Sequence, residues 1–228
     1  MNHPYLSRIL AVSILSLLFA FPFSGQAQKK AEKSTQRPAP EAPVTFMGVT
    51  LGADLNSISE CPYEDVNSRI NWPSNFKPRP LLSYKYGSIQ QPCWTTEPIG
   101  QGAPKSSEFL LTFIGPQKNF PAGIKRTELH IVNGKIEGVR ADTDGHMNQD
   151  ELLRLLIQKF GPPLHTQDRA LQNLMGAKVI GRFASWEWPD LHVSFLGIGN
   201  RIDSGYLTVE TKNGYDATAA KSSQDRSF

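Results

Sequence analysis

The stretch "TELHIVNGKIEGVRADTDGHMNQDELLRLLIQKFGPP", Thr127 to Pro163, decides how this chain folds. Its first half alternates apolar and polar residues with a period of two, as a half-buried strand does. Asn133-Gly134 in the middle of that half is a strong hairpin signal, because both residues tolerate the positive φ of a type I′ turn. Folding about it sets Ile131 opposite Ile136 on one face, and His130 opposite Glu137 on the other. The second half changes period. Asn148 stands at an N-cap with Glu151 three residues on, a capping box with Asn in place of Ser or Thr, and Asp150 and Glu151 suit the positive end of the helix dipole. Leu152, Leu153, Leu155, Leu156, Ile157 and Phe160 make a wide apolar stripe at helical spacing, Gly161 offers the C′ residue, and Pro162-Pro163 forbids continuation. A stripe this wide needs a sheet to cover it.

The join between the halves invites a second reading. With Gly145 at the sixth position of a twelve-residue calcium loop, Asp142, Asp144 and Glu151 fall on positions three, five and twelve. Position one is then Arg140, whose guanidinium repels a cation, and the loop is entered from a strand rather than a helix. A strand-to-helix turn of the kind Asp and Gly favour is the simpler account. A cation site outside the EF-hand pattern, using Asp142, Asp144 and His146, stays open as an alternative.

The remaining chain is mostly β in character. "VTFMGVTLG", "LLSYKYGS", "EFLLTFIG", "RFASWEWPDLHVSFLG" and "GYLTVETK" carry the branched and aromatic residues of pleated strands. Asp54 can cap a short helical segment, "LNSISEC", that Pro62 ends. Pro189-Asp190 supplies a tight turn between two strands. The expected class is therefore α+β: a twisted antiparallel sheet packed by one long and one short helix.

The N-terminus, "MNHPYLSRILAVSILSLLFAFPFSGQAQKK", reads as a signal peptide: one Arg, an apolar run, then small residues at a cleavage site. Cleavage after Ala27 gives residues 1–27 as signal peptide; retention as an uncleaved anchor is the alternative. Residues 28–43 are polar and Pro-rich, an expected disordered linker. The folded region is expected over 44–213, and 214–228, polar and small, as a disordered tail. Cleavage leaves no expected membrane span. In an oxidising compartment the two cysteines, Cys61 and Cys93, are expected to pair, and the closed loop contributes on the order of 3 to 4 kcal/mol by restricting the unfolded chain.

Charge and motifs narrow the function. Loss of Arg8 with the signal peptide takes the formal net charge from +3 to +2, with basic and acidic residues intermixed, so nucleic acid is not an expected partner. The histidines show no HExxH spacing, there is no GxSxG elbow, and "GIGN" at Gly197 lacks the third glycine of a dinucleotide fingerprint. No catalytic residue and no cofactor is expected. His130 and His192, in alternating strands, are expected to face solvent or make one hydrogen bond. Trp186 and Trp188 share a strand face; buried they pack the core, exposed they form an aromatic platform for protein or glycan contact.

The order of "VTFMGVTLG", a helix opened near Asp54, a later helix closing in "KFGPP", and antiparallel strands after each resembles the helix-plus-sheet units of the β-lactamase inhibitor protein and of the small outer-membrane assembly lipoprotein. The acylated cysteine of the latter has no counterpart here. The resemblance implies a division into two degenerate tandem helix-plus-sheet units and a protein-binding or inhibitory role, and carries over no catalytic residues. The leading expectation is a non-enzymatic envelope protein, periplasmic or secreted, that binds another envelope protein. Its rivals are a periplasmic hydrolase assembled only in three dimensions and a cation-dependent binder.

Overall fold

The computed structural model describes residues 40, 42–65, 82–84, 89–96, 99, 101–116, 119–172 and 176–225. The expected signal peptide and nearly all of the expected linker lie outside these residues. The elements run β1 (Thr45–Phe46), β2 (Val49–Thr50), a 3-10 turn (Leu55–Ser57), β3 (Tyr63–Asp65), β4 (Leu82–Tyr84), β5 (Cys93–Thr95), β6 (Glu108–Ile114), β7 (Ile124–Val132) and β8 (Lys135–Thr143). After a second 3-10 turn (Gly145–Met147) come α1 (Gln149–Phe160), β9 (His165–Gln172), β10 (Lys178–Glu187), β11 (Leu191–Leu196), β12 (Gly205–Thr211) and α2 (Lys212–Asp225). Eight strands form one antiparallel sheet in the order β5-β6-β7-β8-β12-β11-β10-β9. The protein is of the α+β class.

One face of the sheet is apolar. Leu129 and Ile131 of β7, Val139 of β8, Val209 of β12, Val193 and Phe195 of β11 and Trp186 of β10 are buried there. Leu152, Leu156 and Phe160 of α1 close over it, one side of the predicted stripe; Ile157 turns outward. The N-terminal segment covers the rest with Phe46, Met47, Val49, Leu51 and Leu55. Phe160 joins the two covers, its ring 6.1 Å from Phe46, 6.3 Å from Trp186 and 6.2 Å from Trp188.

Four local expectations change. "VTFMGVTLG" is a tight hairpin instead of one strand, because Met47 and Gly48 both take positive φ, 50° and 82°, and Phe46 folds back onto Val49. The segment after Asp54 makes only a 3-10 turn; Asp54 forms no side-chain cap and Ile58 is already extended. The capping box at α1 does not form: Asn148 bonds to Asp144, and Glu151 accepts two bonds from Arg154 at 2.8 and 2.6 Å. The expected tail from 214 is helical through Asp225. That helix lacks an apolar stripe, the signal by which a docked helix is read from sequence. It rests instead on small and polar contacts, with Gly214 buried so close to the sheet that a β-carbon would meet the Glu137 carbonyl oxygen at 2.7 Å.

The Asn133-Gly134 turn holds, with φ of 50° and 77°, and Ile131 pairs with Ile136 as expected. A register shift follows at once: His130 lies opposite Gly138, not Glu137. Glu137 is left in the bulge, where its carboxylate accepts from Thr211 Oγ1. Cys61 and Cys93 form the expected disulfide, with Cα atoms 4.8 Å apart.

Candidate functional site

The second face of the sheet is polar. Strand alternation and the register place three rows of side chains across it. Arg126, Asp142, Tyr206 and Leu196 make the first row, Glu128, Arg140, Thr208 and Ser194 the second, and His130, Gly138, Glu210 and His192 the third. Helix α2 lies over the third row. Its Tyr215 stacks on His192 with ring centroids 4.0 Å apart and 8° between planes, and its Thr218 accepts from Arg140 Nη2 at 2.6 Å.

Beneath α2 is a connected charge network. His130, only 1% exposed, places Nδ1 3.2 Å from Glu210 Oε1 and Nε2 3.1 Å from Glu108 Oε1. Arg140 donates to the same Glu210 oxygen through Nε at 3.0 Å and Nη2 at 2.7 Å. Carboxylate oxygens accept and do not donate, so a ring nitrogen that carries a proton donates it to the carboxylate beside it. Burial alone would raise the Glu210 pKa; the His130 hydrogen bond and the charge and hydrogen bonds of Arg140 together outweigh it and hold the carboxyl below its ordinary value. Gly138 makes the arrangement possible, because a β-carbon there would meet Glu210 Cγ at 2.7 Å.

The first two rows stay open. They floor a cleft of about 350 Å³ lined by Arg126, Glu128, Arg140, Asp142, Tyr206 and Thr208. An adjoining hollow of about 460 Å³ shares Arg126 and Glu128 and runs to Thr112 and Lys105. Two apolar side chains stand out on this face, Tyr206 at 48% and Leu110 at 43% exposure. Arg126 and Glu128 pair at 2.9 Å.

The sequence candidates fare differently. Trp186 and Trp188 are 1% and 8% exposed, so they are core residues and form no platform; Trp186 Nε1 donates to the Gly161 carbonyl at 2.7 Å. Asp142, Asp144 and His146 are not brought together. Asp142 lies on the polar face between Arg126 and Tyr206, Asp144 accepts from Asn148, and His146 Nδ1 faces the Ile202 carbonyl at 3.2 Å. Among the described residues no group of three His, Cys, Asp or Glu could hold a metal ion. His130, expected to make one bond or face water, is buried with both nitrogens engaged. Sequence reading passed over Arg140, Glu210 and Thr218. The polar phase of "TELHIVNGKIEGVRA" and "GYLTVETK" was the available signal for the first two, and Thr218 had none.

Comparison of the chain with protein-family models, with curated proteins and with solved structures finds no match.

Proposed function

We propose that this is an exported, non-enzymatic envelope protein that binds another protein through the open rows beside α2. The observation that carries the reading is the division of the polar face. Its one histidine between carboxylates is sealed under α2, while Tyr206, Leu110, Arg126 and Asp142 face outward along a shallow cleft. A general acid or base must come within hydrogen-bond reach of its substrate, and His130 has no free nitrogen to offer. Exposed aromatic and arginine side chains above a polar floor are instead the groups that carry contact energy in protein interfaces. The apolar run before Ala27 and the Cys61–Cys93 disulfide support an oxidising compartment outside the cytoplasm. No helix among the described residues is long and apolar enough to cross a membrane.

A photo-crosslinking amino acid at Tyr206, compared with one at Gln158 on the outer side of α1, tests the reading in intact envelopes. A discrete protein adduct specific to position 206 is expected. Equal labelling from both positions would remove the cleft from consideration. Turnover of a chromogenic ester that is lost in His130→Gln would replace binding with hydrolysis.

A further inference from the structure

The two edges of the large sheet are treated differently. At one end the three-residue β5 is covered on its outer side: Cys61 donates its backbone N–H to the Trp94 carbonyl at 2.8 Å, Trp94 donates to Ser59 at 3.1 Å, and the disulfide fixes the covering segment. At the other end β9 pairs only with β10, through eight consecutive residue pairs with no register shift. It contains no proline, and every side chain but that of Leu171 is exposed. Proteins ordinarily blunt such an edge with a short strand, charged side chains, a proline, a bulge or a cover. Of these β9 carries only the charges of Asp168 and Arg169, and among the described residues no backbone group pairs with its outer N–H and C=O groups, which leaves them able to receive a strand.

We propose that the outer edge of β9 docks an extended segment of a different protein as an added antiparallel strand. Charge placement defines that segment. Strand alternation puts His165, Gln167, Arg169 and Leu171 on the polar face of the sheet, and Thr166, Asp168, Ala170 and Gln172 on the face that carries α1. On the α1 face Asp168 and Asp150 share Arg182, at 2.5 and 3.1 Å, which leaves one negative charge in excess. Arg169 has no ion pair among the described residues. Directly opposed residues of an antiparallel pair point to the same face. The complementary strand therefore presents an acid to Arg169 and, at the next residue toward its C-terminus, a base to Asp168.

A second copy of this chain does not meet that requirement. Paired antiparallel, as all neighbours in this sheet are, it would set polar-face residues only against polar-face residues. Those of β9 include no acid, and the α1-face residues include no base. No register repairs this, because a shift that kept the faces aligned moves each strand by two residues. The edge is thus open to a heterologous strand and charge-mismatched to its own copy.

Amide hydrogen exchange of the oxidised full chain tests the proposal independently of the cleft, since the readout is confined to β9. The probe is a capped octapeptide of alternating Thr and Val with Glu-Lys at its centre, and the control carries the pair reversed to Lys-Glu. Millimolar Glu-Lys peptide is expected to slow exchange along β9, with the control roughly fivefold weaker, the scale of a reversed cross-strand charge pair. Arg169→Glu, at an exposed position, should abolish the difference between the two peptides without moving the melting midpoint, because each then meets one like and one opposite charge. Unchanged β9 exchange, equal effects of both peptides on the parent chain, or protection that appears with protein concentration alone would each overturn it, the last by showing that the edge pairs with itself.

Discussion

Gly138 lies directly beneath Glu210, with room between them for a hydrogen but not for a methyl group: a β-carbon at 138 would stand 2.7 Å from Glu210 Cγ and 3.3 Å from His130 Cβ. Both neighbours are held by the Arg140 network and cannot step aside freely. Gly138→Ala should therefore destabilise the fold by about 1–3 kcal/mol, the usual cost of an inserted carbon in a packed site. A urea titration against the parent measures it. A stabilised variant, as expected from backbone entropy alone, would show that the network yields.

Acidification should weaken the protein through Glu210. Its folded pKa is lowered from 4.5. A lowered carboxylate contributes stability that is fully present above its unfolded value and is lost as pH falls through the folded one. Glu210→Gln leaves Arg140 without its buried counter-charge and should cost about 3 kcal/mol at pH 7. Melting both proteins from neutral pH to pH 3 should show that difference shrinking only on the acid side of the ordinary glutamate range. A constant difference would mean that the carboxyl is not held ionised in the fold.

Trp186 is a structural residue. Trp186→Phe keeps most of the buried ring but leaves the Gly161 carbonyl without its 2.7 Å donor, a loss of about 1–3 kcal/mol. Trp186→Ala adds a cavity and should cost about 3–5 kcal/mol. Neither change should alter crosslinking from position 206 while the protein remains folded. Loss of the adduct in folded Trp186→Phe would tie the indole to recognition after all.

Calcium should not stabilise the chain. A ligand that binds only the native state raises the melting midpoint, its stabilisation growing as RT ln(1 + L/Kd) at free ligand concentration L. With Asp144 bonded to Asn148, His146 facing the Ile202 carbonyl and Asp142 apart from both on the polar face, the midpoint in millimolar calcium should equal that in chelator. An upward shift that disappears in Asp144→Asn would restore the cation reading.

The hairpin at Asn133-Gly134, the stripe of Leu152, Leu156 and Phe160, the stop at Gly161 and the pairing of two cysteines were legible in the sequence, because each rests on neighbours in the chain or on a choice with one solution. What the polar half of each strand would meet was not legible. Whether His130 faced water or a carboxylate depended on a one-residue bulge at Glu137 and on Glu210, 80 residues away. Whether Trp186 was platform or core depended on which face received α1. Helix α2 docks by Gly214, Thr218 and Tyr215, small and polar contacts that leave no periodic trace, and β9 is exposed on both faces and so lacks the alternation that betrays a strand. Periodicity records which side of an element avoids water; strand order and long-range pairing decide what stands on that side, and those exist only once the chain has closed on itself.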